Sequence, residues 1–204
     1  MGQEIELKLH IDSAAQLQTV HADATLAALF TGQPEIIRME TTYFDTADGA
    51  LSAKKWTLRR RKENGVCVTC LKTPGTQTEG GVPVRGEWET TEPDFPKAIE
   101  CLVADGAPEA LAQYAASGVE ETCSAAFVRL AQQLRLTDGS LCELACDEGV
   151  LSGGGHKRSF YELELELKKG TPEKMLALGE YLKKTYKLRE EPKSKFARAH
   201  SLRG

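Results

Sequence analysis

The sequence has no long apolar run, and this absence excludes two kinds of hydrophobic segment. The first thirty residues instead carry acidic side chains, at Glu4, Glu6, Asp12 and Asp23. Charges at this density interrupt the apolar core of a secretory signal peptide and the longer span of a transmembrane helix. We therefore expect a cytoplasmic protein without a membrane partner.

The sequence also lacks the paired cysteine spacing of zinc sites, although it contains six cysteines. Cys67 and Cys70 form one CxxC pair, and no second pair follows at a suitable distance. The pair lies in a strand-like run, where an offset of three residues sends the two side chains to opposite faces, whereas a zinc knuckle needs a turn. We expect six reduced, structural thiols in a reducing compartment.

Several familiar catalytic and binding motifs are missing as well. The four histidines are scattered, at His10, His21, His156 and His200. The glycines at 153–155 are not followed by Lys-Ser/Thr, so they predict a turn and no phosphate-binding P-loop. No serine or cysteine nucleophile motif is present, and the net charge of -4 argues against a nucleic-acid partner.

The sequence does contain two strand-like stretches that alternate acidic and apolar residues. In the first, Glu4, Glu6 and Lys8 share one face and aliphatic residues share the other. The second is Tyr161–Lys168, whose acidic face carries Glu162, Glu164 and Glu166. An ordinary half-buried strand alternates in the same way. Because opposed like charges destabilise a sheet, two acidic strands in one domain need an explanation, and a divalent cation between them would provide one.

The alternation extends to about eight predicted strands, each with one charged face. These faces carry Glu4, Glu6, Lys8, Arg59, Arg61, Lys72, Arg85, Glu87, Glu89, Arg129, Glu143, Asp147, Glu162, Glu164 and Glu166. The opposite faces are mostly Leu, Val, Ile and Trp, and the predicted helices provide matching apolar stripes. The charged face either lies open to water or lines the wet interior of a barrel.

Local signals predict where these elements begin and end. We expect two short helices within Ala14–Phe30, closed by Pro34, and a strand over Arg38–Asp45. Asn64-Gly65 predicts a hairpin turn, residues 73–83 an exposed loop, and Gly149 a further turn. A helix from about 172 to 186 follows Thr171 as its cap. The basic segment 194–202 is expected to be helical and to present a solvated face or a lid.

The charged motifs, taken in order, resemble the CYTH superfamily of triphosphate tunnel metalloenzymes. The resemblance rests on Glu4-x-Glu6-x-Lys8, Leu58-Arg59-x-Arg61, Leu71-Lys72, Arg85-x-Glu87-x-Glu89, Arg129, Asp147-x-Gly149 and Glu162-x-Glu164-x-Glu166. It runs from residue 3 to about 200. The superfamily includes class IV adenylate cyclases, mammalian-type thiamine triphosphatase and bacterial inorganic triphosphatases. The stretches YFDT, LKTPG and ELELELKKG look most like the bacterial inorganic triphosphatases.

This resemblance implies an α+β fold. We expect a closed eight-stranded antiparallel β-barrel, the triphosphate tunnel, with helices packed on the outside. Residues 1–204 are expected to form a single tunnel domain, and the C-terminal helices, about 172–202, to pack on or cap the barrel. Related bacterial proteins often carry a CHAD domain, so a longer natural chain with such a domain is a further expectation.

The resemblance also assigns roles to individual residues. The substrate-binding set is Lys8, Arg59, Arg61, Lys72, Arg85 and Arg129, whose side chains match phosphate oxygens. The metal-binding set is Glu4, Glu6, Glu162, Glu164 and Glu166, which offer the hard oxygen ligands that Mg²⁺ or Mn²⁺ prefers. Glu4, Glu6 and Lys8 are expected to be catalytic. Supporting roles beside these groups fall to Glu87, Glu89, Asp147 and Lys195.

Together these expectations give metal-dependent hydrolysis of inorganic triphosphate (tripolyphosphate) to pyrophosphate and phosphate, with a small-molecule triphosphate as the partner. Two alternatives remain open. The same fold acts on organic triphosphates in thiamine triphosphatases, nucleoside triphosphatases and class IV adenylate cyclases. A non-catalytic polyphosphate-binding module is the other alternative. The full carboxylate set argues against it, because anion binding alone needs bases and no acids.

Overall fold

The structure is a computed structural model that describes residues 5–77 and 83–204, without the side chains of 75–77 and 83–85. Its strands are β1 (Ile5–Ile11), β2 (Phe30–Thr46), β3 (Thr57–Glu63), β4 (Val66–Gln77), β5 (Pro83–Thr90), β6 (Val119–Arg135), β7 (Leu141–Gly153), β8 (His156–Lys169) and β9 (Arg189–Glu190). Its helices are α1 (Ala14–His21), α2 (Ala24–Ala27), α3 (Ala50–Ala53), α4 (Phe95–Ala104), α5 (Ala110–Ala116), α6 (Pro172–Tyr186) and α7 (Lys195–His200), followed by a 3-10 turn, Ser201–Arg203.

The strands of the described residues belong to one nine-stranded sheet in the order β5-β4-β3-β2-β6-β7-β8-β1-β9. Every pairing between neighbouring strands is antiparallel. The longest strands, β2 and β6, pair with each other at the centre of this order. Two-residue turns such as Asn64-Gly65, both with positive φ, connect neighbouring strands and fix their register.

The prediction of a closed eight-stranded barrel differs from this sheet in two ways. A ninth strand is present, because the two-residue β9 pairs with Leu9 and His10 on the outer edge of β1. Within residues 5–77 and 83–204, β5 and β9 are the two edges, so the sheet is not closed there. The α+β character and the antiparallel sheet with packed helices agree with the prediction.

The sheet has one apolar and one charged face, as the alternation in the sequence predicts. Helices α1, α2 and α6 cover the apolar side of β1, β8, β7 and β6 in a core that includes Leu9, Leu144 and Leu163. Helices α4 and α5 cover the apolar side of β3, β4 and β5 around Leu58 and Leu71. Burial of these aliphatic side chains stabilises the contact between helices and sheet by about 1.5–3 kcal/mol per large residue.

A buried carboxylate joins α2 to α6 in the larger core. Asp23 caps α2 by accepting a hydrogen bond from the Leu26 N–H at 2.9 Å. Its other oxygen accepts hydrogen bonds from the hydroxyls of Tyr181 at 2.9 Å and Tyr186 at 2.8 Å. Burial alone would raise the pKa of Asp23, but these three donors hold it below its ordinary value.

Helix α7 lies on the charged face, unlike the helices that cover the apolar face. Its Ala199 joins Tyr43, Leu151 and Phe160 in a small apolar cluster at one end of that face. Gly153 permits the close approach, because a Cβ there would lie 2.4 Å from the Ala199 carbonyl oxygen. Helix α7 therefore does not lie on the outside of the sheet with the other helices.

Local predictions were accurate for the helices and less so for the strands. Pro34 lies inside β2, in a stretch that pairs only with β6, so its missing N–H removes no hydrogen bond toward β3. Gly149 lies within β7, where a Cβ would approach the Ala126 carbonyl oxygen to 2.2 Å. The predicted loop at 73–83 is strand from 73 to 77, and 78–82 lie outside the described residues.

The longest helix in the described part of the chain, α6, has 15 residues. No helix among the described residues is both long and apolar enough to span a membrane.

Candidate active site

The charged face brings the predicted site residues of neighbouring strands into aligned rows. In one row Lys8 on β1 is opposite Glu164 on β8. In the next row Glu6 on β1 is opposite Glu166 on β8, which is in turn opposite Glu143 on β7. On the next two strands Arg129 pairs with Asp147. This register explains why residues distant in sequence lie together, since antiparallel partners on the same face have adjacent side chains.

The Arg59 cluster, formed by Arg59, Arg61, Lys72, Glu87 and Glu89 on β3, β4 and β5, contains the predicted phosphate-binding bases. The Lys72 ammonium lies 3.0 Å from Glu87 Oε1. Arg59 Nη2 lies 3.8 Å from Glu87 Oε1 and 3.7 Å from Glu89 Oε1, beyond hydrogen-bond length. The two glutamates therefore offset the positive charge of Arg59 without accepting hydrogen bonds from its guanidinium group.

Both arginines of the Arg59 cluster have unused donors. Within the described residues, the Nε atoms of Arg59 and Arg61 are buried and have no hydrogen-bond partner. Buried donors usually have a partner, and leaving one unsatisfied costs about 1–3 kcal/mol. An oxyanion on this face would satisfy these donors.

Cys70 lies beside the Arg59 cluster on the same face and donates to Glu87 Oε1 at 3.5 Å. Burial raises the pKa of its thiol to about 12, and the nearby glutamates add to this effect against the attraction of Arg59. The thiol therefore stays protonated at neutral pH, in agreement with a structural cysteine.

The Lys195 cluster lies on β6, β7, β8 and α7 and consists of Lys195, Arg198, Arg129, Asp147, Glu162 and Glu164. Arg129 binds Asp147 through two hydrogen bonds of 2.8 Å and reaches Glu164 at 2.5 Å. Lys195 Nζ lies 2.8 Å from Asp147 and 2.9 Å from Glu164, and it also contacts Glu162. Asp147 and Glu162 have no exposed side-chain surface.

The charges of the Lys195 cluster balance, since it contains three acids and three bases. Burial alone would raise the pKa of Glu164, but Lys195 and Arg129 hold it well below its ordinary value. Burial raises the pKa of Glu162, and the neighbouring Glu164 charge adds to this effect against the attraction of Lys195. Glu164 is therefore the stronger acid of the two.

Tyr43 connects the Arg59 cluster with the Lys195 cluster. The side chain is almost completely buried on the charged face of β2. Burial raises the pKa of its hydroxyl, while the charges of Arg59 and Lys195 oppose that rise. Tyr43 is paired with Arg59 between β2 and β3, and its ring lies 5.1 Å from the ring of Phe196, the residue that follows Lys195 in α7, so Tyr43 lies between the two clusters.

One group of three carboxylates in the Lys195 cluster has the spacing of a metal site. Oxygens of Asp147, Glu162 and Glu164 all lie within 4.8 Å of one another. The Lys195 ammonium contacts all three, and Arg198 binds the second oxygen of Glu162. A divalent cation would therefore have to displace Lys195, so this group fits a buried ion network better than a metal centre.

Glu6 and Glu166 offer a more accessible pair of carboxylates. They are directly paired between β1 and β8, and Glu166 is also paired with Glu143 on β7. Lys8 lies 3.1 Å from Glu6, and Lys168 lies 2.7 Å from Glu166. Opposed like charges destabilise a sheet, and carboxylate oxygens are the donors that Mg²⁺ or Mn²⁺ prefers, so Glu6 and Glu166 could hold a hard divalent cation in place of the two lysines.

The structure brings most of the predicted site residues together in two clusters. Glu4 lies outside the described residues, and so does the side chain of Arg85. Arg59, Arg61, Lys72, Glu87 and Glu89 come together in the Arg59 cluster, whereas Arg129, Asp147, Glu162, Glu164 and Lys195 come together in the Lys195 cluster. Glu6, Lys8 and Glu166 lie beside the Lys195 cluster on β1 and β8. The metal-binding role predicted for Glu162 and Glu164 stays a prediction.

Sequence reasoning missed Arg198 as a site residue, because it assigned the basic segment 194–202 to a solvated face or a lid. Arg198 binds Glu162 and lies 3.5 Å from Glu191. Lys195 and Arg198 are three residues apart in a helix, so their side chains lie on the same side of it. This spacing is the feature of the sequence that could have identified Arg198 as a site residue. Tyr43 was also missed as a site residue, because a single tyrosine in a strand has no distinguishing pattern.

The family model of the CYTH domain matches residues 2–200. The chain therefore belongs to the CYTH family.

Solved structures share this fold at low sequence identity. A putative adenylyl cyclase from Hippeastrum is 23% identical, with a TM-score of 0.64 over 98% of this chain and 96% of its own. A putative adenylate cyclase from Bacillus halodurans is 17% identical, with a TM-score of 0.54 over 94% and 93%. One from Vibrio parahaemolyticus is 14% identical, with a TM-score of 0.54 over 98% and 99%.

Proposed function

We propose that this protein is a metal-dependent hydrolase that cleaves inorganic triphosphate to pyrophosphate and phosphate on its charged sheet face. The observation that carries the proposal is the pair of buried, unpartnered guanidinium Nε atoms of Arg59 and Arg61, which lie beside carboxylates in a CYTH-family chain. In this proposal the charged face lines a closed tunnel, as the resemblance of the sequence implies.

The bases of this face bind and orient the triphosphate. Arg59 and Arg61 offer planar guanidinium groups that bind phosphate oxygens in pairs, and Lys72 and Lys8 act as point charges. Arg129 would bind a phosphate oxygen from the opposite side of Tyr43. Fixed positive charge around the phosphates stabilises the charge that develops on the leaving pyrophosphate, which is the main source of catalysis in phosphoryl transfer.

Glu6 and Glu166 are the residues that would hold Mg²⁺ or Mn²⁺, with Glu4 as a further proposed ligand. When bound, such an ion polarises phosphate oxygens and lowers the pKa of a water. The carboxylates of this pair also hold the positive side chains of Lys8 and Lys168 near the phosphates. Glu4 or Glu6 is proposed to orient the attacking water and accept its proton.

The acidic residues favour hydrolysis over simple polyphosphate binding. A binding module gains nothing from carboxylates near an anion, because they repel it. On this face Glu6, Glu143 and Glu166 lie in one row on β1, β7 and β8, beside the Lys195 cluster. The Hippeastrum structure is described as a putative adenylyl cyclase that has a dominant triphosphatase activity, which supports hydrolysis over cyclisation for this fold.

The direct test is phosphate release from tripolyphosphate, ATP and thiamine triphosphate in parallel, with Mg²⁺, with Mn²⁺ and with a chelator. The proposal predicts fast, metal-dependent release from tripolyphosphate, which the chelator abolishes. Release from an organic triphosphate alone would move the assignment to that substrate. If nothing is hydrolysed while tripolyphosphate raises the melting temperature, the protein binds polyphosphate without cleaving it.

A further inference from the structure

One strip of the sheet lies on the same side as the covering helices but outside the area that they cover. It is on the face opposite Arg59 and Arg129, between the apolar core under α1, α2 and α6 and the apolar core under α4 and α5. We call this surface, on the central strands β2, β6 and β7, the open strip. Its exposed side chains are Ile36, Arg38, Glu40, Ala126, Val128 and Glu148.

The centre of the open strip is apolar. Ile36 is 63% exposed and Val128 is 40% exposed. Arg38 is opposite Val128 on the neighbouring strand, and Ile36 precedes Arg38 by two residues, so Ile36 and Val128 are diagonal neighbours on one face. A single exposed aliphatic side chain is common, whereas a group of them inside a polar rim is typical of an interaction surface.

Opposite charges lie on the two sides of this apolar centre. In one row Arg38 on β2 is opposite Val128 on β6, which is in turn opposite Glu148 on β7. Neighbouring strands are about 4.8 Å apart, so Arg38 and Glu148 lie about two strand spacings from each other, with Val128 between them. Within the described residues, neither charged side chain has an ion-pair partner.

A surface with opposite charges on the two sides of a central line is complementary to a second copy of itself. When two such sheets face each other across a two-fold axis that runs along β6, β2 of each copy lies opposite β7 of the other. Arg38 then faces Glu148 of the partner subunit, and the two copies of Val128 meet at the axis. We propose that this chain forms a two-fold dimer through the open strip.

The balance of charge favours a second copy over a partner of another kind. Lys62 is opposite Glu40 at the edge of the strip, so two bases and two acids surround the apolar centre. A surface without net charge has no long-range attraction for an acidic protein, a basic protein or an anionic membrane. Face-to-face packing of two sheets is a common arrangement, with the sheets about 10 Å apart and the strand directions within about 30° of each other.

The dimer leaves the charged face free. Arg59, Arg129 and the other candidate site residues lie on the opposite side of the sheet from the open strip. This inference therefore does not depend on the proposed function, and the two can be tested separately.

Sedimentation equilibrium of the full chain at increasing concentration tests the inference. The wild-type mass should approach twice the chain mass of 22.3 kDa. Val128→Glu places two carboxylates face to face at the axis, so it should raise the Kd of the dimer about tenfold or more. Leu176→Glu, at a residue of α6 that is 45% exposed, is the matched control and should leave this Kd unchanged.

Charge reversal tests the predicted pairing across the axis. Arg38→Glu alone and Glu148→Arg alone each place like charges opposite each other, so each should raise the Kd of the dimer about tenfold or more. The double variant restores opposite charges and should recover most of the wild-type affinity. If the two residues acted independently, the double variant would instead be weaker than either single variant.

Two outcomes would overturn the inference. One is a wild-type chain that stays monomeric at every concentration. The other is a dimer that Val128→Glu and both single charge reversals leave intact, because such a dimer would use another face. Phosphate release from tripolyphosphate measures the proposed function and mass measures the dimer, so failure of one is distinguishable from failure of the other.

Discussion

The Lys195 ammonium lies 2.9 Å from Glu164 Oε1, although 31 residues separate the two in sequence. The lysine is the first residue of α7, and the glutamate lies in the middle of β8. Both side chains are largely buried, with 12% and 13% of their surface exposed. This contact attaches the C-terminal helix to the charged face, where Lys195 also contacts Asp147 and Glu162.

Lys195→Met should destabilise the fold strongly. The substitution keeps the length of the side chain but leaves three carboxylates with one base fewer in a buried site. Breaking a buried ion pair in this way costs about 3–5 kcal/mol. Urea unfolding followed by circular dichroism measures the difference, with Lys193→Met, an exposed lysine just before α7, as the control. If Lys195→Met lowered the free energy of unfolding by less than about 1 kcal/mol, this result would contradict the stabilising role of the buried ion network.

The Asp23–Tyr186 contact predicts how stability depends on pH at both extremes. Because the folded-state pKa of Asp23 is lowered, its hydrogen bonds stabilise the fold above about pH 3.9 and are lost as pH falls below that value. The hydrogen bond to Asp23 raises the pKa of Tyr186 to about 12. The stabilisation of the fold by the hydrogen bond between Tyr186 and Asp23 is therefore present below about pH 10 and is lost as pH rises toward 12.

Two variants separate these contributions. The stability difference between wild type and Asp23→Asn should be largest near neutral pH and shrink below about pH 3.9. The difference between wild type and Tyr186→Phe should shrink above about pH 10. Thermal melting across pH measures both, and differences that stay constant from pH 3 to 11 would refute this account.

Glu166→Gln should weaken the response to metal without unfolding the protein. Glu166 is partly exposed and pairs with Glu6, so removing one charge also relieves repulsion between them. We expect the Mg²⁺ concentration for half-maximal activity to rise at least about tenfold, since even residues that only support a metal ligand have effects of this size. Glu148→Gln, an exposed glutamate on the opposite face of β7, is the control. An equal response of both variants to Mg²⁺ would remove Glu166 from the metal-binding set.

The sequence predicts much of the sheet, because period-two alternation determines the face on which a side chain lies. It placed Arg59 and Arg61 together and Arg60 opposite, and the structure agrees, since Arg60 binds the Pro93 carbonyl oxygen away from the charged face. Strand length was harder to predict, because pairing partners decide it. Pro34 was predicted to end the helical segment that precedes it. The structure places it inside β2, in a stretch that pairs only with β6.

The site was predictable in composition but not in arrangement. Residue types and order indicated phosphate and metal chemistry, whereas the contacts depend on register and on the docking of α7. Lys195 and Arg198 belong to a short helix whose position follows from Gly153 and the apolar cluster around Phe160. No local pattern in residues 194–202 encodes that position, so the basic segment was expected to be a solvated face or a lid, and only the family resemblance gave Lys195 a supporting role.

The most direct test of the charged face is a comparison of tripolyphosphate binding by Arg59→Ala and Arg60→Ala. The two arginines are neighbours in β3, so they match in side-chain chemistry, and they lie on opposite faces of the sheet. A hydrogen bond to a charged group contributes about 1.5–3 kcal/mol, so Arg59→Ala should raise the Kd for tripolyphosphate about 10- to 150-fold in calorimetric titration. Arg60→Ala should leave it within about twofold. Equal Kd values for the two variants would contradict the assignment of the charged face as the triphosphate site.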